Sequence, residues 1–293
     1  MGASIAGRRH WVEAARPRTL VAGAVPVVVG TAAAGRFIAW RFVAALVVAV
    51  ALQVAVNYAN DLFDALRGVD TPDRIGPRRA VASGLISASR MKLGVGIALG
   101  VAAVAGTALA LAAGPWLLIV GAACAGAALA YSGGPRPYAS AGLGEVFVFV
   151  FFGLVATVGS AYVQTETISS VGVAAAVPVG LLAVAILVVN NLRDVRTDAR
   201  TGKRTLAVRW GAARTRTFLA LLLAGAFIAV LFVALVERSP GPLIALFAAP
   251  GARAPLSLAR SNKESDMLRA LGGTARLELV TGVLLAGGLL LAR

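Results

Sequence analysis

Long apolar runs recur along this chain, and they confine it to a bundle of membrane-crossing helices. Nine can be separated, at roughly 19–35, 41–60, 91–113, 115–131, 144–163, 169–190, 217–236, 240–258 and 274–292. These are near the about 17–25 residues a helix needs to cross a bilayer. The eighth is interrupted by Pro250, Gly251, Arg253 and Pro255. With 59% hydrophobic residues, 14% charged residues and a mean hydropathy of +0.83, the composition excludes an ordinary soluble domain. Barrel strands would alternate apolar and polar side chains, so helices are the remaining way to cross a membrane. The expected fold is all-α: nine transmembrane helices in one domain, residues 1–293, with no soluble second domain. The N-terminal stretch carries Arg8, Arg9, Arg16 and Arg18 ahead of the first apolar run, which does not suit a secretory signal.

The net charge of +15 raises the question of nucleic acid. Its distribution points to topology instead. If the N-terminus and the loops after the even-numbered helices share one side, that side holds 24 Lys and Arg against 4 on the other, Arg36, Arg41, Arg238 and Arg293. The positive-inside rule then places the N-terminus and the long loops in the cytoplasm, and no nucleic-acid partner is expected. The single cysteine, Cys124, lies within an apolar run and reads as a small packing residue.

Only 13 residues are acidic, and four of them form two matched clusters at the cytoplasmic ends of helices 2 and 6. Asn57, Asp61 and Asp64 are spaced i, i+4, i+7, and Asn190, Asp194 and Asp198 are spaced i, i+4, i+8. Each set lines one face of a helix. Carboxylates so stacked repel one another unless they share a cation. A shift of 133 residues carries Asn57 and Asp61 onto Asn190 and Asp194, which suggests two four-helix halves plus a ninth helix. Each cluster is followed by a basic glycine loop, Arg67-Gly68 through Gly76-Pro77-Arg78-Arg79 and Gly202-Lys203-Arg204. Carboxylates that hold magnesium, facing Arg and Lys that hold phosphate oxygens, form a site for a diphosphate at a membrane surface. The only histidine is His10, so a zinc site is not indicated. Intramembrane carboxylates also serve cation-coupled transporters, but usually near the bilayer midplane and not at helix ends.

These motifs resemble the UbiA-type superfamily of intramembrane aromatic prenyltransferases, and most of all its menaquinone branch, the 1,4-dihydroxy-2-naphthoate polyprenyltransferases. The likeness rests on Ala15-Arg16-Pro17-Arg18-Thr19-Leu20, on Asn60-Asp61 through Arg67-Gly68 and Gly76-Pro77-Arg78, on Tyr131-Ser132-Gly133-Gly134-Pro135 with Gly142-Leu143-Gly144-Glu145-Val146-Phe147, and on Asn190-Asn191-Leu192-Arg193-Asp194 with Gly202-Lys203-Arg204-Thr205-Leu206. In the broader superfamily a third Asp often follows the second by four residues. Here Gly68 stands there, and Asp70 and Asp73 either reach the metal or organise the loop.

The resemblance implies Mg2+ held by Asp61, Asp64, Asp194 and Asp198 with Asn57, Asn60 and Asn190 in support, and diphosphate contacts from Arg78, Lys203 and Arg204. It implies a polyprenyl diphosphate donor drawn from membrane lipid and 1,4-dihydroxy-2-naphthoate as acceptor, decarboxylated as the chain is attached to give demethylmenaquinone or its quinol. 4-Hydroxybenzoate or another phenol is the alternative acceptor. Tyr131, Glu145, Arg16 and Arg18 are candidates for the aromatic substrate. Each also has a plainer reading: an interface anchor for Tyr131, a helix-dipole partner for Glu145 and topology signals for the two arginines. Phe147, Phe149, Phe151 and Phe152 read as packing and not as a prenyl channel. A bacterial plasma membrane is the expected address.

Overall fold

In the computed structural model every regular element is helical, and no strand occurs among the described residues. The structure describes residues 2–69, 79–261 and 263–293, without the side chains of residues 2–6 and of Arg18. Eleven α-helices follow in order: α1 Gly2–Ala15, α2 Val21–Ala34, α3 Ala39–Leu66, α4 Ala88–Ala113, α5 Leu117–Ala130, α6 Gly144–Val148, α7 Ala156–Thr165, α8 Ser170–Arg200, α9 Leu206–Glu237, α10 Arg253–Leu258 and α11 Glu264–Leu291. A π-helical segment, Phe149–Val155, joins α6 to α7, and a 3-10 stretch, Gly241–Ala252, leads into α10.

Six of these segments are long and apolar enough to cross a membrane: α3, α4, Gly144–Thr165, α8, α9 and α11. The expected first and fourth runs form shorter apolar helices, α2 and α5. The expected eighth run is not one helix but the 3-10 stretch followed by the six residues of α10. Pro240, Pro242, Pro250 and Pro255 account for this, because proline lacks the amide hydrogen an α-helix uses and clashes with the preceding turn. Nine uniform helices are therefore not what the chain forms.

Helix α8 is the central post. Some 78% of its apolar window is buried, against 28% for α3, so α8 packs inside the bundle while α3 keeps a lipid-facing side. Its small residues Ala174, Ala175, Ala176, Gly180, Ala183 and Ala185 permit that enclosure, since membrane helices associate by close van der Waals approach. A Cβ on Gly153 would lie 2.7 Å from the Cα of Gly180, so the π-helical segment touches α8 backbone to backbone. The main apolar core joins α8, α9 and α11, and a second joins α2 to the same three.

Helices α4, α8 and α9 start on hydroxyl caps. Ser169 Oγ accepts from Gly172 N at 2.9 Å and Thr205 Oγ1 from Val208 N at 3.4 Å. At the end of the bundle away from the acidic motifs, arginines bond to helix carbonyls. Arg41 donates to Val163 O and Ala112 O and pairs with Glu166, and Arg293 donates to Ala33 O. Two of the four cations on the sparse side thus close helix C-termini, where positive charge is favoured.

Gly30 tests this packing, because a Cβ there would sit 2.1 Å from Thr157 O on α7. Gly30→Val should cost about 1–3 kcal/mol, the range for overpacking. It should appear as a lower unfolding midpoint in detergent, whereas Gly100→Ala, where a Cβ meets nothing within 4 Å, should not lower it.

Candidate active site

Between α2, α3, α4, α5, the π-helical segment and α8 lies an elongated cavity of ≈ 270 Å³. Along α3 it runs from Asn60 to Ala45, about 22 Å at 1.5 Å per residue. Its polarity is graded. Arg16, Thr19, Asn57, Asn60, Tyr131 and Asn190 line the end toward the basic loops, and most of the remaining wall is apolar.

Asp61, Asp64 and Asp194, three of the four expected carboxylates, meet donors or cations. Asp61 is 2% exposed, and its two oxygens accept from Ala80 N at 2.9 Å and Val81 N at 2.8 Å. This fastens the segment after the first cluster to α3 across 19 to 20 residues. Asp64 Oδ2 lies 3.5 Å from both Arg79 Nη2 and Lys203 Nζ. Arg193 grips Asp194 with two hydrogen bonds of 2.7 and 2.6 Å, both side chains buried. Asp198 is also buried, and its backbone carbonyl accepts from Lys203 N at 2.9 Å, which positions the lysine.

The two faces therefore reach the same end of the molecule, bridged from Asp64 to Lys203. Among the described residues, however, no three His, Cys, Asp or Glu side chains gather into one metal-binding group. Each carboxylate just described is turned toward an N–H or a cation, because buried like charges need compensation and the chain's own donors supply it. The donor chemistry still fits magnesium, being carboxylate and amide oxygen throughout.

The supporting residues are equally defined. Asn57 Nδ2 donates to Ala15 O at 2.8 Å and to Thr19 Oγ1 at 3.3 Å, tying α3 to the turn after α1. In that turn Arg16 adopts a left-handed conformation, φ 53°, and lines the cavity. Asn60 Oδ1 accepts from Ser132 Oγ at 3.0 Å. Asn191 Nδ2 donates to Glu145 Oε1 at 3.0 Å, so Glu145, buried in the first turn of α6, anchors that helix to α8. The Tyr131 ring meets Tyr138 edge-on, and Tyr138 stacks on Phe147 at 4.0 Å. Burial pushes the Tyr138 phenol above its ordinary pKa, and its hydroxyl donates to Ala127 O. Arg204 is exposed at the rim, with its backbone N–H on Ser140 O.

Some expectations move. Phe147, Phe151 and Phe152 were read as packing residues, yet they line the cavity, while Phe149 packs against Gly180 and the core. The wider π-helical turn brings these aromatics to the wall, and π-helical segments often mark functional sites. Arg78, Asp70 and Asp73, and the side chain of Arg18, lie outside the described residues. Arg79 and Arg193, not singled out from the sequence, are the arginines that pair with Asp64 and Asp194. The signal was adjacency alone. Each sits inside a motif already noted, next to a residue with as good a claim.

Residues 23–275 match the UbiA prenyltransferase family. The chain belongs to that family. Among its relatives in the UbiA family are 1,4-dihydroxy-2-naphthoate octaprenyltransferases. The one of Mycobacterium tuberculosis is 45% identical over 96% of each chain, and that of Escherichia coli 38% identical over 76% of each. The fold is shared with solved UbiA homologues. The apo structure from Aeropyrum pernix K1 superposes with a TM-score of 0.71 at 14% identity, covering 93% of this chain and 97% of that one. The Archaeoglobus fulgidus homologue bound to DMAPP and Mg2+ gives 0.62 at 16% identity, covering 94% and 98%. These distant structures show the UbiA fold, and the graded cavity above is this member's own.

Asp61→Asn removes one of the two oxygens that hold the Ala80 and Val81 amides. Amide hydrogen exchange at these two positions should speed by about tenfold, the loss of one hydrogen bond to a charged group, while exchange in α8 stays as in the wild type.

Proposed function

We propose that this membrane protein transfers a polyprenyl group from polyprenyl diphosphate to 1,4-dihydroxy-2-naphthoate, releasing diphosphate and CO2 and forming demethylmenaquinol, the reduced form of demethylmenaquinone. The observation that carries the reading is the graded cavity, polar at the end toward the two acidic motifs and mostly apolar beyond it. A diphosphate headed into lipid by a long hydrocarbon tail has that same gradient. The relatives named for this reaction support the choice of acceptor.

Asp61, Asp64, Asp194 and Asp198 are the residues that would hold magnesium, with Asn57, Asn60 and Asn190 in support. When bound, the metal neutralises diphosphate oxygens and improves the leaving group. Lys203, Arg204 and Arg78 contact the diphosphate in this reading, joined by Arg79 and Arg193, which exchange their carboxylate partners for phosphate oxygens. Arginine is suited to that exchange because its fork matches both anions. As the C–O bond breaks, the allylic carbons become electron-poor. The Phe147, Phe151 and Tyr131 side chains line the wall, and aromatic rings stabilise such charge without attacking it. Water is scarce in an apolar cavity, so the electron-rich naphthoate ring is the available nucleophile. Arg16 and Arg18 lie at the end where the acceptor carboxylate enters.

The topology follows the same reading: nine crossings, arranged as two four-helix halves and a ninth, with the N-terminus and the active-site loops on the cytoplasmic face of a bacterial plasma membrane. The cation asymmetry supports it.

The test is a product assay on the purified protein with polyprenyl diphosphate, magnesium and either 1,4-dihydroxy-2-naphthoate or 4-hydroxybenzoate. Prenylated naphthoquinol with CO2 release, abolished by EDTA, is expected. Product from 4-hydroxybenzoate alone would replace the acceptor and keep the site. Asp194→Asn should lower kcat by about 10²–10³-fold, the scale for losing a group that stabilises transition-state charge. A variant as active as the wild type at limiting magnesium would remove Asp194 from the metal site.

A further inference from the structure

Gln53 is out of place in its surroundings. It lies on α3 four residues before Asn57 and eight before Asp61, on the face that lines the cavity. Its neighbours on that wall, Ala49, Leu52 and Val56, are apolar. The side chain is 7% exposed, and its amide oxygen has no hydrogen-bond partner among the described residues. Asn57 and Asn60, one and two turns along the same helix, both have partners. Gly23 on α2 packs against this turn of α3, where a Cβ would lie 3.2 Å from Ala49 O and 3.5 Å from the Gln53 Cβ. A buried amide oxygen without a donor costs stability, and a polar side chain within a membrane segment marks function.

We infer that Gln53 is the residue that recognises a ring hydroxyl of the aromatic acceptor, its amide oxygen accepting the phenolic O–H. This rests on the acceptor class proposed above. The oxygen needs a hydrogen donor, and of the proposed occupants only the acceptor carries one. The diphosphate is an acceptor of hydrogen bonds, and the prenyl chain has no donor. A metal among the carboxylates is too distant, because eight residues separate Gln53 from Asp61 by about 12 Å along the helix. A ring held one turn below Asn57 lies between the diphosphate end and the apolar wall, where it can meet the first carbons of the donor. A site built to bond a hydroxyl discriminates against rings that lack it, because the buried partner is then left unpaired.

Gln53→Met and Gln53→Leu, assayed with both substrates in the full-length protein, test this. The KM for 1,4-dihydroxy-2-naphthoate should rise about tenfold, the equivalent of one lost hydrogen bond, and the KM for polyprenyl diphosphate should stay within about twofold. Gln53→Glu keeps an acceptor oxygen in either protonation state and should restore most of the acceptor affinity. The unfolding midpoint of the apolar variants should not fall, since they remove an unpaired polar atom. An unchanged acceptor KM in both apolar variants, or acceptor and donor constants that rise together, would overturn the assignment. If the wild type prenylates a different phenol, the naphthoate reading falls by itself, and the same split is then read with that phenol.

Discussion

Everything at the working end depends on compensating carboxylates that an apolar bundle has drawn out of water. Asp61, Asp64 and Asp194 are buried in a chain that has only 13 acidic residues. Buried charge is tolerated only where donors or opposite charge meet it. Here Asp61 takes two backbone amides, Asp64 takes Arg79 and Lys203, and Asp194 takes Arg193 in a two-pronged grip. These bonds have structural consequences beyond neutralisation. They fasten the segment at Ala80 and the segment after α8 to α3, so both are held at one end of the molecule. The partners are also the right ones for an anionic substrate, because arginine and lysine can pass from carboxylate to phosphate without leaving the site.

The rest of the fold serves the cavity beneath. Helix α8 can run buried through the middle because its small residues let α2, α9, α11 and the π-helical segment approach closely. That close approach at Gly153 and Gly180 sets the π-helical segment against α8 and leaves Phe147, Phe151 and Phe152 on the cavity wall. The opposite end is closed by Arg41 and Arg293 on helix carbonyls. The cavity thus has a polar mouth and a hydrocarbon interior, and Gln53 is the polar exception partway along α3.

Much of this was legible in the residues. The i, i+4 spacing within Asn57–Asp64 and Asn190–Asp198 places each set on one helix face, and Asn57 and Asn190, one from each set, line the same cavity, while the four Asp residues are not among its lining. The Arg and Lys asymmetry gave a sidedness consistent with both motifs lying at one end. Proline spacing in 240–258 carried the warning that this run departs from a simple helix, and it does. What was not legible is instructive. Nothing local separates Arg78 from Arg79, and only the fold shows Arg79 buried against Asp64. Phe147, Phe151 and Phe152 read as packing, because an apolar run does not reveal which face turns to lipid and which to a cavity. Glu145 could be a dipole partner or a site residue until Asn191, 46 positions later, was seen to donate to it.

The sequence by itself determined the class of molecule, the extent of most helices and the residues at the polar end. Those properties follow from composition and short-range periodicity, which one segment carries alone. Tertiary structure decided which cation faces which carboxylate, that Asp61, Asp64 and Asp194 turn to separate partners, which aromatics line the cavity, and that the Gln53 oxygen is left without a partner among the described residues. Each of these is a relation between segments far apart in the chain, set by how closely glycine and alanine let helices pack and by the need of every buried charge for a counterpart.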